Sequence, residues 1–195
     1  MKTIKRMICT SLAALTIVSS SAAVVNYATD NSFNTSISAN AANDPAAQAQ
    51  ALINSINKNI DKANKEIKDC ENRIAYLKKQ LNNANNQQAK QNIREEIRRL
   101  NDRIKVLKDY KANLQNILKS LYFKQYTGNS SSLVEALKAI GAKYSFDYRK
   151  EIAIINGIKN YTGTAAQNTK MLNLLKKGKL LKPDNTAVLV PVYPA

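Results

Sequence analysis

Ile53, Ile56, Ile60, Ala63, Ile67, Cys70, Ile74, Leu77, Leu81 and Ala84 follow one another in steps of three and four without a fault. That spacing is a heptad seam, the signature of a helix packed lengthwise against another helix. The flanking positions carry Lys, Asn, Asp and Glu, so the apolar stripe is narrow. A lone helix this polar cannot shield its stripe from water and needs a partner. A second seam follows: Ile93, Ile97, Leu100, Ile104, Leu107, Leu114, Leu118 and Leu121, broken at Lys111. The two are out of phase, because continuing the first from Ala84 predicts apolar residues where Gln88 and Gln91 stand.

The phase break falls in Asn82-Asn83-Ala84-Asn85-Asn86-Gln87-Gln88. Asn is a poor helix former that tolerates turn geometry. The pattern therefore predicts an antiparallel coiled-coil hairpin within residues 42–126, its tip between Asn83 and Gln87. Each arm of roughly 36 residues extends about 54 Å at 1.5 Å per residue. The alternative is one continuous helix with a stutter, pairing in parallel with a second copy. Cys70 on the seam is a core cysteine in the first arrangement. In a parallel dimer it becomes a candidate interchain disulfide.

The heptads stop at Tyr126-Thr127-Gly128-Asn129-Ser130-Ser131, which reads as a domain boundary. Beyond it the grammar changes. Ser132-x-x-Glu135 and Thr164-x-x-Gln167 are capping boxes that open short helices, and a helix is also expected from Asp147 to Asn156. Gly141, Gly157 and Gly178 are placed to stop these helices, and Pro183 prevents continuation. Residues 130–183 thus form a small three-helix module, and residues 184–195, with two prolines, an extended tail. The fold class is all-α.

The chain opens with a basic stretch (Lys2, Lys5, Arg6), an apolar run from Met7 to Val18, and small residues. This is the layout of a secretory signal peptide over residues 1–41, too short for a membrane span. Cleavage sites fit after Ala23 and after Ala41, the second being preferred; an uncleaved anchor is the alternative. The expectation is a secreted, cell-wall-associated protein with no stable membrane span after cleavage. Of 30 basic and 14 acidic residues, three and one fall in the first 41, which leaves 27 against 13 and a net +14. Such charge attracts polyanions, among them the teichoic acid of a Gram-positive wall, and secretion argues against nucleic acid.

The sequence holds no His. That excludes His-ligated zinc, Ser-His-Asp triads and Cys-His dyads. A paired-carboxylate glycosidase stays formally open, although the acids mostly sit beside lysines at helix-pair spacing. The expectation is no enzyme, no catalytic residue, no metal and no cofactor.

One region carries a resemblance. Leu137-Lys-Ala-Ile-Gly141, Ser145-Phe-Asp-Tyr-Arg-Lys150, Asn156-Gly-Ile158 and the core Asn160-Tyr-Thr-Gly-Thr-Ala-Ala-Gln-Asn-Thr169 resemble small modules at the C-terminal end of peptidoglycan hydrolases. Amidases and endolysins of Gram-positive bacteria and their phages carry them. The resemblance covers residues 132–183 and implies binding to the cell wall. A hairpin stands where those proteins carry a catalytic domain.

Sugar rings stack apolar faces on aromatic rings and bond their hydroxyls to planar amides and guanidinium groups. Tyr144, Tyr148 and Tyr161 are the aromatic candidates for a glycan site, and Arg149, Asn160, Gln167 and Asn168 the polar ones. Each has a structural reading beside it. Phe146 and Tyr161 suit a core, Gln167 a cap, and Arg149 an ion pair with Asp147 or Glu151. Lys176, Lys177, Lys179 and Lys182 form a basic cluster suited to teichoic-acid phosphate or simply to solvent. The function that follows is wall binding by the module, with the hairpin as spacer or docking surface for another secreted protein. The alternatives are a peptidoglycan hydrolase or its regulator, and a basic membrane-active effector.

Overall fold

A computed structural model describes residues 44–184 and 190–194. Residues 1–43, which include the expected signal peptide, residues 185–189 and residue 195 lie outside them. Among the described residues five helices follow in order: α1 (Pro45–Asn83), α2 (Gln87–Ser120), α3 (Leu133–Ala139), α4 (Phe146–Ile155) and α5 (Ala165–Lys176).

Asp44 starts α1: its Oδ1 accepts from the amides of Ala46 at 2.9 Å and Ala47 at 3.4 Å. Pro45 stands at the first position, where a missing amide costs nothing. Asn86 starts α2 in the same way, its Oδ1 accepting from the Gln88 amide at 2.7 Å. The reversal uses only residues 84–86, inside the asparagine run. Cross-arm bonds fix the direction. Lys111 Nζ donates to Asn64 at 3.0 Å, Arg103 Nε to Glu66 at 2.6 Å and Arg73 Nε to Glu96 at 2.9 Å. Numbers rise along one arm as they fall along the other, so α1 and α2 are antiparallel within one chain.

Both seams face inward. Ile56, Leu107 and Leu114 are fully enclosed; each contributes roughly 1.5–3 kcal/mol relative to exposure. The fault at Lys111 is repaired by its neighbour. Tyr110 is buried and fills the gap between Leu107 and Leu114, while Lys111 swings to the edge to reach Asn64. Toward the tip the packing loosens, and Ile93, Ile97 and Leu100 stay half-buried. Two helices cannot cover a seam from every side. At the other end the rest of the chain does so.

The helix ends at Ser120, short of Tyr126. Residues 121–123 run beside 180–182 instead, and Tyr126 N–H reaches Leu175 O at 3.3 Å. Phe123 N–H donates to Leu180 O at 2.9 Å and Lys182 N–H to Leu121 O at 2.9 Å, an antiparallel bridge centred on Tyr122 and Leu181. Leu181 packs in the hairpin core, and its neighbour Leu180 in that of the module. Asn156 clamps this junction: its Nδ2 donates to Leu181 O and its Oδ1 accepts from Leu181 N–H, both at 3.0 Å.

The three short helices surround Leu137, Ile152, Met171, Leu175 and Leu180, all with negligible exposure. Each ends on a glycine that closes the same hydrogen-bond pattern. After α4, Gly157 takes φ +70° and lets Ile158 N–H reach Ala153 O at 2.8 Å. Ser132 and Ser145 cap α3 and α4, and Thr164 and Gln167 form a full capping box at α5.

Candidate functional site

The turn between α4 and α5 holds Asn160 and Tyr161, the first turn of α5 holds Gln167 and Asn168, α4 carries Tyr148 and Arg149, and Tyr144 precedes it. Asn160 adopts φ +51°, a left-handed conformation that Asn tolerates better than most residues. Gln167 holds the segment that follows. Its Nε2 donates to Asn160 O at 2.9 Å, and its Oε1 accepts from the Thr162 and Thr164 amides at 3.0 and 3.2 Å. These three hydrogen bonds of the side-chain amide shape the loop.

Behind the loop lies a polar knot. Tyr161 is buried, and its hydroxyl donates to Asn168 Oδ1 at 2.6 Å. Arg149 Nη1 donates to the Tyr161 hydroxyl at 3.0 Å and to Asn168 Oδ1 at 3.2 Å. Arg149 Nε reaches Tyr144 O at 3.2 Å, and Asn168 Nδ2 donates to Gly163 O at 2.9 Å. Burial pushes the Tyr161 phenol above its ordinary range. Arg149 therefore belongs to this knot, and the ion pair with Asp147 or Glu151 expected from spacing gives way to it. Tyr148 is also inward: it is buried and its hydroxyl bonds Asp184 at 2.8 Å. That phenol is pushed up strongly, first by burial and then by the Asp184 carboxylate.

What faces solvent is a short aromatic shelf. Tyr144 and Phe146 are each 46% exposed. The expectation that Phe146 belongs to the core is corrected here. Its ring leans on Tyr161, with centroids 5.5 Å apart, and the Arg149 guanidinium lies 5.9 Å from its centre. Lys138 Nζ stands 4.9 Å over Tyr144. The signal for Phe146 was in the sequence. Tyr148 and Ile152, one turn apart, set the buried stripe of α4, and a residue two positions before Tyr148 is rotated about 200° from it. Gly163 completes the shelf: a Cβ there would stand 3.0 Å from Phe146 Cε2, at φ +79°.

The aromatic faces beside fixed cations can stack sugar rings and attract anionic groups. A shallow cleft of about 210 Å³, lined in part by Asn168, lies between residues 131–134 and the first turns of α5. The lysine cluster is elsewhere. Lys176, Lys177 and Lys179 gather at the C-terminal end of α5, a helix of 12 residues, about 18 Å long. Lys182 Nζ there bonds Ser120 O at 3.1 Å. Cations in that place also offset the helix dipole.

Over 51 residues the chain is 49% identical to the L-alanyl-D-glutamate peptidase of Listeria phage A118. The match takes in 26% of this chain and 18% of the peptidase. No protein-family model matches the chain, and no solved structure matches it. The match corrects the expectation that the chain is no enzyme, because the relative is a named peptidase; the missing histidines exclude only His-dependent chemistry.

Proposed function

We propose that the C-terminal module binds a bacterial cell-wall polymer, peptidoglycan or its attached teichoic acid, through the shelf of Tyr144, Phe146 and Arg149. In this reading the protein is secreted and wall-associated, and the hairpin serves as a spacer or as a docking surface for another secreted protein. The observation that carries it is the exposed aromatic pair held beside the anchored guanidinium. The phage match supports it, since a bond from L-alanine to D-glutamate belongs to the stem peptides of peptidoglycan. The match has the length of the module, which we take to be the shared part.

Tyr148, Tyr161, Asn160, Gln167 and Asn168 then act from behind, fixing the shelf and the loop beside it. The test is co-sedimentation with purified Gram-positive sacculi, with and without wall teichoic acid. The unaltered chain is expected in the pellet, and a Tyr144→Ala/Phe146→Ala double variant mostly in the supernatant at unchanged helicity. Equal sedimentation of the two defeats the shelf. Loss of binding on removing teichoic acid identifies that polymer as the ligand.

The named relative favours a second reading, a wall hydrolase or the regulator of one. Clearing of a sacculus suspension by the purified chain, with new amino termini released, supports that reading. A stable suspension leaves wall binding alone.

A further inference from the structure

Residues 190–194 lie across the middle of the hairpin, far in sequence from the helices they touch. Tyr193 is half-buried and held by Glu66, Tyr110 and Lys62. Its hydroxyl donates to Glu66 Oε2 at 2.7 Å. Its ring meets Tyr110 edge-on, with centroids 5.3 Å apart, and Lys62 Nζ sits 3.9 Å over its centre. The backbone on each side is read as well: Tyr110 donates its hydroxyl to Pro191 O at 3.4 Å and Arg103 Nη2 donates to Pro194 O at 2.8 Å. Arg103 also bonds Glu66 at 2.6 Å and so aligns the carboxylate that receives the phenol.

The geometry favours an extended ligand. Tyr110 and Arg103 are two turns apart on α2, about 10 Å. Three residues of tail cover that span only when nearly extended, at roughly 3.3 Å each. Pro191 and Pro194 bias the segment toward such a conformation before it docks, which lowers the entropy lost on binding. Val190 and Tyr193 pack on the hairpin, while Val192 between them is 46% exposed. Burial and the Glu66 carboxylate push the Tyr193 phenol well above its ordinary range, so it remains a donor.

We propose that α1 and α2 together form a binding site for an extended tyrosine–proline segment, filled here by the chain's own residues 190–194. This site lies apart from the aromatic shelf of the module and does not rest on wall binding. Filled from within, it straps the end of the chain to the hairpin. Opened, it takes the same segment in trans.

The test uses the full chain carrying Tyr193→Ala, which disables its own tail, and a labelled peptide Val-Pro-Val-Tyr-Pro as probe. Fluorescence anisotropy is followed up to millimolar peptide. The variant is expected to bind the peptide, and the unaltered chain at least about tenfold more weakly, because its site is already filled. A peptide with phenylalanine in place of tyrosine is expected to lose roughly tenfold on the variant, the usual size for a hydrogen bond to a charged acceptor. Equal binding by both chains overturns the proposal. So does no binding by a variant whose circular dichroism is unchanged. Loss of helicity in the variant also overturns it, since the tail is then part of the core and not a ligand.

Discussion

Gly163 shows how a single missing carbon shapes the site. Its φ of +79° disfavours any side chain, and an added Cβ would press on the Phe146 ring. Gly163→Ala is expected to lower stability by roughly 1–2 kcal/mol and to disturb the shelf with it. Thermal unfolding followed by circular dichroism checks the first part, and near-ultraviolet circular dichroism of the aromatic residues the second. Single residues were unevenly legible in the sequence. Gln167 was readable as a cap because capping is local, three residues back to Thr164. The same side chain also grips Asn160 O across the turn, and no local rule announces that. Tyr148 and Tyr161 look alike as exposed-ring candidates, yet both turn inward, because their partners Asp184 and Asn168 are set by the fold.

At the level of elements, the hairpin was the most legible part. Two phase-shifted seams and an asparagine run point to two antiparallel helices with a tip between Asn83 and Gln87, with a continuous parallel-pairing helix as the alternative; the structure turns at 84–86. The role of Tyr110 was hidden because a strict heptad points to Lys111. Leu107, fully buried on α2, is expected to cost 2–5 kcal/mol on replacement by Ala, as core leucines do. Urea unfolding measures it. Glu66 links the hairpin to pH. The hydrogen bond from Arg103, opposed by burial and aided by Tyr193, holds its carboxyl below the ordinary carboxylate range. A carboxylate whose folded pKa is depressed stabilises the fold above its unfolded value, and that contribution fades as pH falls through the folded value. Glu66→Gln is expected to flatten the acid limb of the stability curve while lowering stability at neutral pH. Melting temperatures of both chains between pH 2 and 7 read this directly (roughly the carboxylate range and above).

In the whole molecule, the hairpin and the module are joined by more than a linker. The pairing of 121–123 with 180–182 and the Asn156 clamp on Leu181 tie them together. The sequence suggested a boundary near Gly128 because glycine and serine cluster there. It could not show the junction, whose two segments are some sixty residues apart and carry no periodic signal. Asn156→Ala leaves the Leu181 N–H and C=O without their partner and is expected to cost about 1–3 kcal/mol, with the hairpin and module melting less cooperatively. Calorimetry distinguishes one transition from two. The proposed wall binding uses a shelf that faces outward while the knot behind it is satisfied internally.

The central claim is that the shelf of the module, not the basic surface of the hairpin, meets the wall polymer. Chemical-shift mapping of the labelled full chain with soluble peptidoglycan fragments tests it most directly. The account predicts the largest shifts at Tyr144, Phe146, Arg149 and Gly163. Shifts confined to the hairpin lysines, or none at saturating fragment, contradict it.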